Sequence, residues 1–213
     1  RPLLASLLGL AASPAAPGPA RAQAAWRIVT EYPATAMPGE GIAAFAEAAT
    51  TLAAGTLAVL PGFDAPDGLR SAGMLRAVSD RRVEAADAFT GALAGEAPIF
   101  QLSALPFLTA SAADTARLLQ AARPAYAREL QSRGLSLLYA TPWPATGLWS
   151  RQPLPGPDAL RGLRVRTYDA AGTAVLRAAG AAPVQVSFAD ALPRIHGLVT
   201  DIKGLHVLKN STP

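Results

Sequence analysis

Between Leu160 and Asp201 the chain reads LRGLRVRTYDAAGTAVLRAAGAAPVQVSFADALPRIHGLVTD, a stretch patterned as strand, helix, strand, helix. Arg164, Val165 and Arg166 alternate polar and apolar, which predicts a strand with both arginines on one face and Val165 on the other. A strand that lifts an arginine from a sheet is a candidate anion reader. Gly172 to Ala179 predicts a helix with Val175, Leu176 and Ala179 on one stripe and Gly180 at a left-handed C-cap. Val184 to Val186 follows as a short strand. Ser187 and Asp190 have the spacing of a capping box, so a new helix opens at Phe188. Pro193 is expected to kink or end it.

The chain before this stretch repeats the alternation. Trp26 to Tyr32 predicts a first strand ended by Tyr32-Pro33, and a helix follows from Gly41 with Ile42, Phe45, Ala49 and Leu52 on one face and Gly55 as its stop. Thr56 to Leu60 is a second strand. Asp67 is placed to cap a helix carrying Leu69, Leu75 and Val78, and Val83 to Phe89 predicts a third strand. Strands separated by helices imply right-handed crossovers and a mainly parallel sheet. In such sheets ligands sit beyond the carboxyl ends of strands, which makes Tyr32, Phe89, Thr90 and Arg166 candidates. Beyond Pro98, Ser111 with Asp114 caps a helix. Another helix is expected from Pro124 to Arg133, with proline in its first turn and Gly134 after its end. Leu135 to Ala140 reads as a strand, broken by Pro142-Trp143-Pro144 before Gly147-Leu148-Trp149, the expected first crossing between two lobes.

With 213 residues, 51% hydrophobic and 16% charged, the chain buries a core and makes one large or two small domains. Its net charge of +4 and pI near 10.0 do not point to nucleic acid, because the arginines are scattered and no basic run interleaves with aromatics. Only Lys203 and Lys209 of its 19 basic residues are lysines; with the abundant alanine, this fits the codon usage of a GC-rich bacterium. The absence of cysteine excludes disulfides and thiolate metal sites. Residues 1–24 combine Arg1, a leucine-rich apolar run, prolines and Ala22-Gln23-Ala24, the layout of a secretory signal peptide, and the missing initiator methionine places the first residue inside it. In residues 202–213 alanine disappears and both lysines and the sole asparagine, Asn210, appear. That tail reads as a frameshift, a fusion scar or a misjoined fragment.

Leu160, Gly162, Leu163, Val165 and Arg166, then Gly180, Ala181, Pro183 and Val184, then Phe188, Asp190 and Pro193, resemble the DctP-like solute-binding subunit of tripartite ATP-independent periplasmic (TRAP) transporters. That family reads L-x-G-L-x-x-R, then G-A-x-P-V, then F-x-E. Leu105-Pro106-Phe107-Leu108 is similar to the family's L-P-F-L, and Tyr32 to Phe45 also fits. The resemblance runs from Trp26 to Asp201 and implies an α/β, two-lobed periplasmic-binding-protein fold with mainly parallel sheets and a cleft between lobes. The expected division is a signal peptide at 1–24, lobe I at 25–146, a partial lobe II at 147–201 and the atypical tail at 202–213. Family members continue well beyond this point, so the chain is expected to be C-terminally incomplete.

The resemblance also implies a function. The arginine of the first motif clamps a substrate carboxylate, which here is Arg166; Tyr32, Thr90, Trp149 and Phe188 would shape the pocket. Asp190 takes the acidic position of F-x-E, where it orients the clamp arginine or a ligand polar group; its place in the capping box explains it equally well. A guanidinium fork matches both oxygens of a carboxylate, and two charge-assisted hydrogen bonds in a dry cleft contribute roughly 3 to 6 kcal/mol. Phe89, Trp143 and Tyr168 are further aromatic candidates for the cleft wall, and core packing is the alternative for each. Many relatives place a second anion-binding arginine near this point, where this chain has Trp149 with Arg151 two residues away, so the resemblance leaves a second carboxylate on the ligand open. The expected partners are a small carboxylate and the transporter's membrane permease subunits, with no nucleic acid; the protein is expected to be monomeric, periplasmic, not an enzyme, and without cofactor or metal.

Two other readings stand beside this one. The first is a secreted α/β enzyme acting on an acidic substrate; it needs a general base or nucleophile with a partner. His196 and His206 lack zinc spacing, and no nucleophile elbow, Walker A loop or dinucleotide fingerprint occurs. Asp64 with Asp67, or Glu84 with Asp87, would be the acid and base, although surface carboxylates are far more common. The second is a truncated fragment without independent function, which would expose sheet edges and apolar helix faces.

Overall fold

A computed structural model describes residues 24–144, 147–191 and 199–201. Its strands form two sheets. In the first, β1 (Ala24–Val29) lies between β2 (Leu57–Gly62) and β3 (Ala85–Ala86), all parallel. Successive residues of β1 face opposite ways. Ile28 packs with Ile42 and Ala46 of α1 (Met37–Leu52) and with Val59, whereas Val29 packs with Leu69, Val83, and Met74 and Ala77 of α2 (Ser71–Ser79). One helix therefore covers each face, as parallel β–α–β connections require.

Local chemistry explains where these elements depart from expectation. α1 starts at Met37 rather than Gly41 because Pro38 sits in its first turn, where an amide hydrogen has no helical partner to lose. A Cβ on Gly39 would lie 2.1 Å from the Pro33 carbonyl oxygen, so the turn after β1 closes onto α1 only with glycine there. Asp67 does not cap α2. It sits at φ 55° in a short 3-10 turn, Pro66–Gly68, and pairs with Arg27 at 2.8 Å. The third strand shrinks to two residues because the Phe89 amide donates to Ser71 Oγ (3.0 Å) instead of to a neighbouring strand.

One helix, α3 (Ala112–Gln131), replaces the two expected around Pro124. The proline removes one amide donor, but Ala122, Tyr126 and Leu130 on either side of it bury against Leu93, Ala97 and Phe100, with the Phe100 and Tyr126 rings stacked at 5.9 Å. Ser111 caps the helix as expected, its Oγ accepting from the Asp114 amide at 3.1 Å. Leu135 to Ala140 forms no strand; Leu135 and Leu137 lean on the α3 cluster rather than on a sheet.

The second sheet has the order β4 (Leu148–Trp149), β7 (Val199–Asp201), β5 (Arg164–Thr167), β6 (Ala182–Gln185). β5 is parallel to both β6 and β7, and β4 is antiparallel to β7. α4 (Ala170–Ala178) crosses from β5 to β6, and Leu160, Val165, Leu176 and Ala181 form the core between them. Asp169 caps α4, its Oδ1 accepting from the Gly172 amide at 2.7 Å, and Gly180 takes a left-handed φ of 82° after its end. The buried face of α4 is Ala171 and Leu176; Val175 is exposed. α5 (Phe188–Ala191) opens after β6. The expected helix kink at Pro193, His196, the signal-like stretch up to Gln23, and the tail with His206 lie outside the described residues. Ala24 already belongs to β1. Among the described residues no helix is long and apolar enough to cross a membrane.

Candidate functional site

Both sheets direct the carboxyl ends of their parallel strands to one place. Tyr32 follows β1, Phe89 follows β3, Arg166 and Tyr168 stand at the end of β5, and Phe188 opens α5 after β6. These five residues line a single cavity of about 10 Å³, room for about one water molecule. The rings meet across the two halves: Tyr32 and Phe188 are 4.8 Å apart, and Phe89 sits edge-on to Tyr168 at 5.2 Å and 83°. Trp143 backs the wall from behind, 5.3 Å from Tyr32 and 6.0 Å from Phe89.

Arg166 is 2% exposed. The period-two pattern places it on the same face as Arg164, yet Arg164 begins the strand in solvent while Arg166 ends it in the cavity. Its Nε donates to the Val186 carbonyl at 2.9 Å, and its guanidinium carbon lies 5.5 Å from the centre of the Tyr168 ring. That bond and the aromatic face help fix the plane of the fork. Among the cavity-lining residues Arg166 is the only charged one.

A buried polar web holds the opposite wall. Glu31, 4% exposed, accepts at Oε1 from both the amide and the hydroxyl of Ser71, and Ser71 Oγ in turn accepts from the Phe89 amide. Thr30 Oγ1 accepts from the Tyr32 amide at 3.4 Å and donates to Asp87 Oδ2 at 3.2 Å. Burial pushes the Asp87 carboxyl up to about 6; the Thr30 hydrogen bond opposes this and the Glu31 charge adds to it. Burial, reinforced by Glu31 and Asp87, raises the Tyr32 phenol far above its ordinary value, so it stays a protonated donor. A Cβ on Gly91 would fall 2.5 Å from the Phe89 ring, which leaves that ring one position.

Asp190 does two things at once. It closes the capping box, accepting from Ser187 Oγ at 2.7 Å, and it receives Arg70 in a two-point ion pair, Nε to Oδ2 at 3.2 Å and Nη2 to Oδ1 at 2.7 Å. Arg70 immediately precedes α2 in the first α/β unit, so this pair ties α5 to the other half of the molecule. Thr90 and Trp149 are not brought to the cavity. Thr90 turns into a 3-10 segment and shares a hydrogen bond with Ser103 (2.8 Å), and Trp149 lies 41% exposed on β4 at the sheet edge. Tyr32, Arg166 and Phe188 do converge, joined by Phe89, Tyr168 and Trp143. Glu31, Ser71 and Arg70 carry no motif that marks them in the sequence, and Asp87 stands out there only beside Glu84, whose Oε2 accepts instead from the Arg27 amide at 2.7 Å. Among the described residues no group of three or more His, Asp or Glu is arranged to hold a metal ion.

Residues 29–200 match the family described as bacterial extracellular solute-binding protein, family 7 (DctP). The structure is similar to that of DctP6, a Bordetella pertussis extracytoplasmic solute receptor binding pyroglutamic acid: TM-score 0.76, 26% identity, 82% of this chain and 58% of that one. A TRAP solute-binding protein specific for pyroglutamate, from a marine metagenome, gives TM-score 0.76 and 27% identity over 83% of this chain and 59% of that one. A TRAP periplasmic solute-binding protein from Sulfitobacter sp. NAS-14.1 with bound β-D-galacturonate shares the fold, with TM-score 0.74 and 18% identity over 84% and 60%. The chain thus spans less than two thirds of the length of these relatives. No curated protein matches it. With most of its 213 residues inside the family match and the carboxyl ends of the parallel strands of two sheets directed to one cleft, the chain belongs to the DctP family of bacterial extracellular solute-binding proteins, a family of solute receptors and not of enzymes.

Proposed function

We propose that the chain is a periplasmic receptor that captures a small organic acid and presents it, as a monomer, to the membrane permease of a TRAP-type transporter. Residues 25–146 and 147–201 act as its two lobes, and the leader-like residues 1–24 direct its export. The observation that carries this reading is the buried guanidinium of Arg166, pinned through Nε and held in an aromatic cavity where the two sheets meet. A carboxylate is the ligand group that a fixed, desolvated guanidinium fork selects. Tyr32 and Phe188 supply the walls, and Asp190 holds α5, and with it Phe188, against the first lobe. The Tyr32–Phe188 and Phe89–Tyr168 contacts run between lobes, so entry of a ligand requires the lobes to part and its capture requires them to close. Family membership and the pyroglutamate named for two similar receptors support an acid as the ligand.

Thermal shift against mono- and dicarboxylates with matched amides tests the reading. Saturation at a hundred times the dissociation constant adds about 2.7 kcal/mol, and only the acids should produce it. Arg166→Ala should weaken acid binding by roughly 3 to 6 kcal/mol, the worth of two charge-assisted hydrogen bonds, and Arg166→Lys should recover little because an ammonium cannot make the fork. Acid affinity retained in both variants would sink the assignment.

A further inference from the structure

Resting on the reading of two lobes that close over a carboxylate, we infer that Arg70 is a two-position switch of that closure: with the lobes together it pairs with Asp190 of the second lobe, and when they part it turns to Glu31 of its own. The outer position is in view. Arg70 stands just before α2 and meets Asp190 of α5 at two points, Nε to Oδ2 at 3.2 Å and Nη2 to Oδ1 at 2.7 Å. Both side chains remain partly exposed, 31% and 43%, so water reaches the pair and screens it. The bond exists only while α5 lies against the first unit, as it does where Phe188 meets Tyr32 at 4.8 Å.

The inner position is prepared beside it. Ser71, the next residue in the chain, donates its amide and its hydroxyl to Glu31 Oε1. Those two bonds hold the Glu31 carboxylate against the first turn of α2, next to the root of the Arg70 side chain. Glu31 is 4% exposed, and among the described residues its Oε2 is buried without a hydrogen-bond partner. It lies within the first unit and does not line the cavity. A buried carboxylate oxygen without a donor is costly, and a guanidinium is a donor well matched to it. Arg70 already feels this second carboxylate: its proton is held more tightly than usual chiefly by the Asp190 hydrogen bonds, with the charges of Asp190 and Glu31 adding.

The two positions offset each other. Closure gives Arg70 a partner in the other lobe and leaves Glu31 Oε2 bare; opening breaks the outer pair and completes the inner one. A latch that released its arginine to water alone would bias the lobes toward the closed form before any ligand had entered. Trading one carboxylate for another keeps the two forms close in free energy, so that ligand binding decides between them. Arg70 and Glu31 act on the ligand through closure, as positioning residues.

The chain has no cysteine, so Glu47→Cys and Arg177→Cys, both at exposed positions, place a single pair of spin labels on α1 and α4. Their distance distribution is read in the 213-residue chain without ligand and at the pyroglutamate concentration that half-saturates the wild type. Asp190→Asn keeps an acceptor for Ser187 Oγ and is expected to move the open-to-closed ratio toward open by up to about fivefold, the span of a partly exposed pair. Glu31→Gln keeps an acceptor for Ser71 and is expected to move it the other way, toward closed, by about twofold or more. Arg70→Met loses both partners and is expected to open the lobes less than Asp190→Asn does. A Glu31→Gln chain that shifts toward open, or not at all, overturns the switch. If that variant does not fold, Arg70→Met decides: opening as far as Asp190→Asn overturns the switch, because a one-position latch loses the same bond in either variant. Acid binding in the thermal-shift panel with label distances that never change overturns the switch and leaves the carboxylate reading intact. No binding of any acid by a cooperatively folded chain overturns both.

Discussion

Replacing Asp87 with asparagine removes a carboxyl whose proton the fold retains well above the usual range. The ordinary value of 3.8 rises to about 6 in the folded chain, chiefly through burial. The folded state therefore binds this proton more tightly than the unfolded state does. The resulting stability is fully present below about pH 4 and is lost as pH rises through about 6. The gap between 3.8 and about 6 corresponds to about 3 kcal/mol as an upper figure. Asparagine keeps an acceptor for Thr30 Oγ1 and has no proton to lose. Urea unfolding of both proteins between pH 4 and 7.5 should show Asp87→Asn gaining on the wild type as pH rises, by up to about 3 kcal/mol. Asp67 and Asp114 are held below the carboxylate range by hydrogen bonds, Asp67 from Arg27 and Asp114 chiefly from Ser111. Their titration lies at lower pH, is common to both proteins and cancels in the difference. Stability curves that stay parallel across this range would refute the assignment of a partly buried, proton-retaining Asp87.

Two further substitutions probe how the halves are joined and how the wall is held. A double-mutant cycle on Arg70→Ala and Asp190→Ala should give a coupling of about 1 kcal/mol at low salt, since the pair is two-pointed but partly exposed, and less at high salt; zero coupling at low salt would mean that the pair does not tie α5 to the first lobe. Gly91→Ala forces a Cβ to within 2.5 Å of the Phe89 ring and 3.0 Å of Asp169 Oδ2, so unfolding should become easier by about 1–3 kcal/mol and near-ultraviolet circular dichroism from the aromatic cluster should fall. An unchanged melt and spectrum would contradict the close packing at that position.

Much of this architecture was legible because local rules and tertiary packing agree. The alternation at Arg164-Val165-Arg166, the cap at Ser111 and the left-handed Gly180 each follow from a few neighbouring residues, and the fold honours all three. Strand ends also pointed to the cavity for Tyr32, Phe89 and Arg166, which follow or finish parallel strands and line it, whereas Thr90, named by the same rule, turns away to Ser103. Misreadings arose where distant packing overrode a local signal. Pro124 ends a helix by its own chemistry, yet the apolar face of Ala122, Tyr126 and Leu130 carries α3 through it. Asp67 has the chemistry of a cap but is taken by Arg27, forty positions away in the chain. Arg70 and Asp190 stand 120 positions apart, and no local pattern links them; the same holds for Glu31, Ser71 and Phe89.

Because the cavity is divided between the two halves, its anchor and its selector are encoded separately. The cation and the carbonyl that pins it come from β5 and the end of β6, while the rigid part of the aromatic wall comes from the ends of β1 and β3 with Trp143 behind. Substitutions in the first unit can reshape the space around a ligand's body while the acid-holding group keeps its bond to Val186. A receptor partitioned in this way can change its preferred cargo by small steps without passing through a form that has lost its grip on the acid, and the natural place to re-engineer its choice of ligand is the side of the cleft that does not carry the charge.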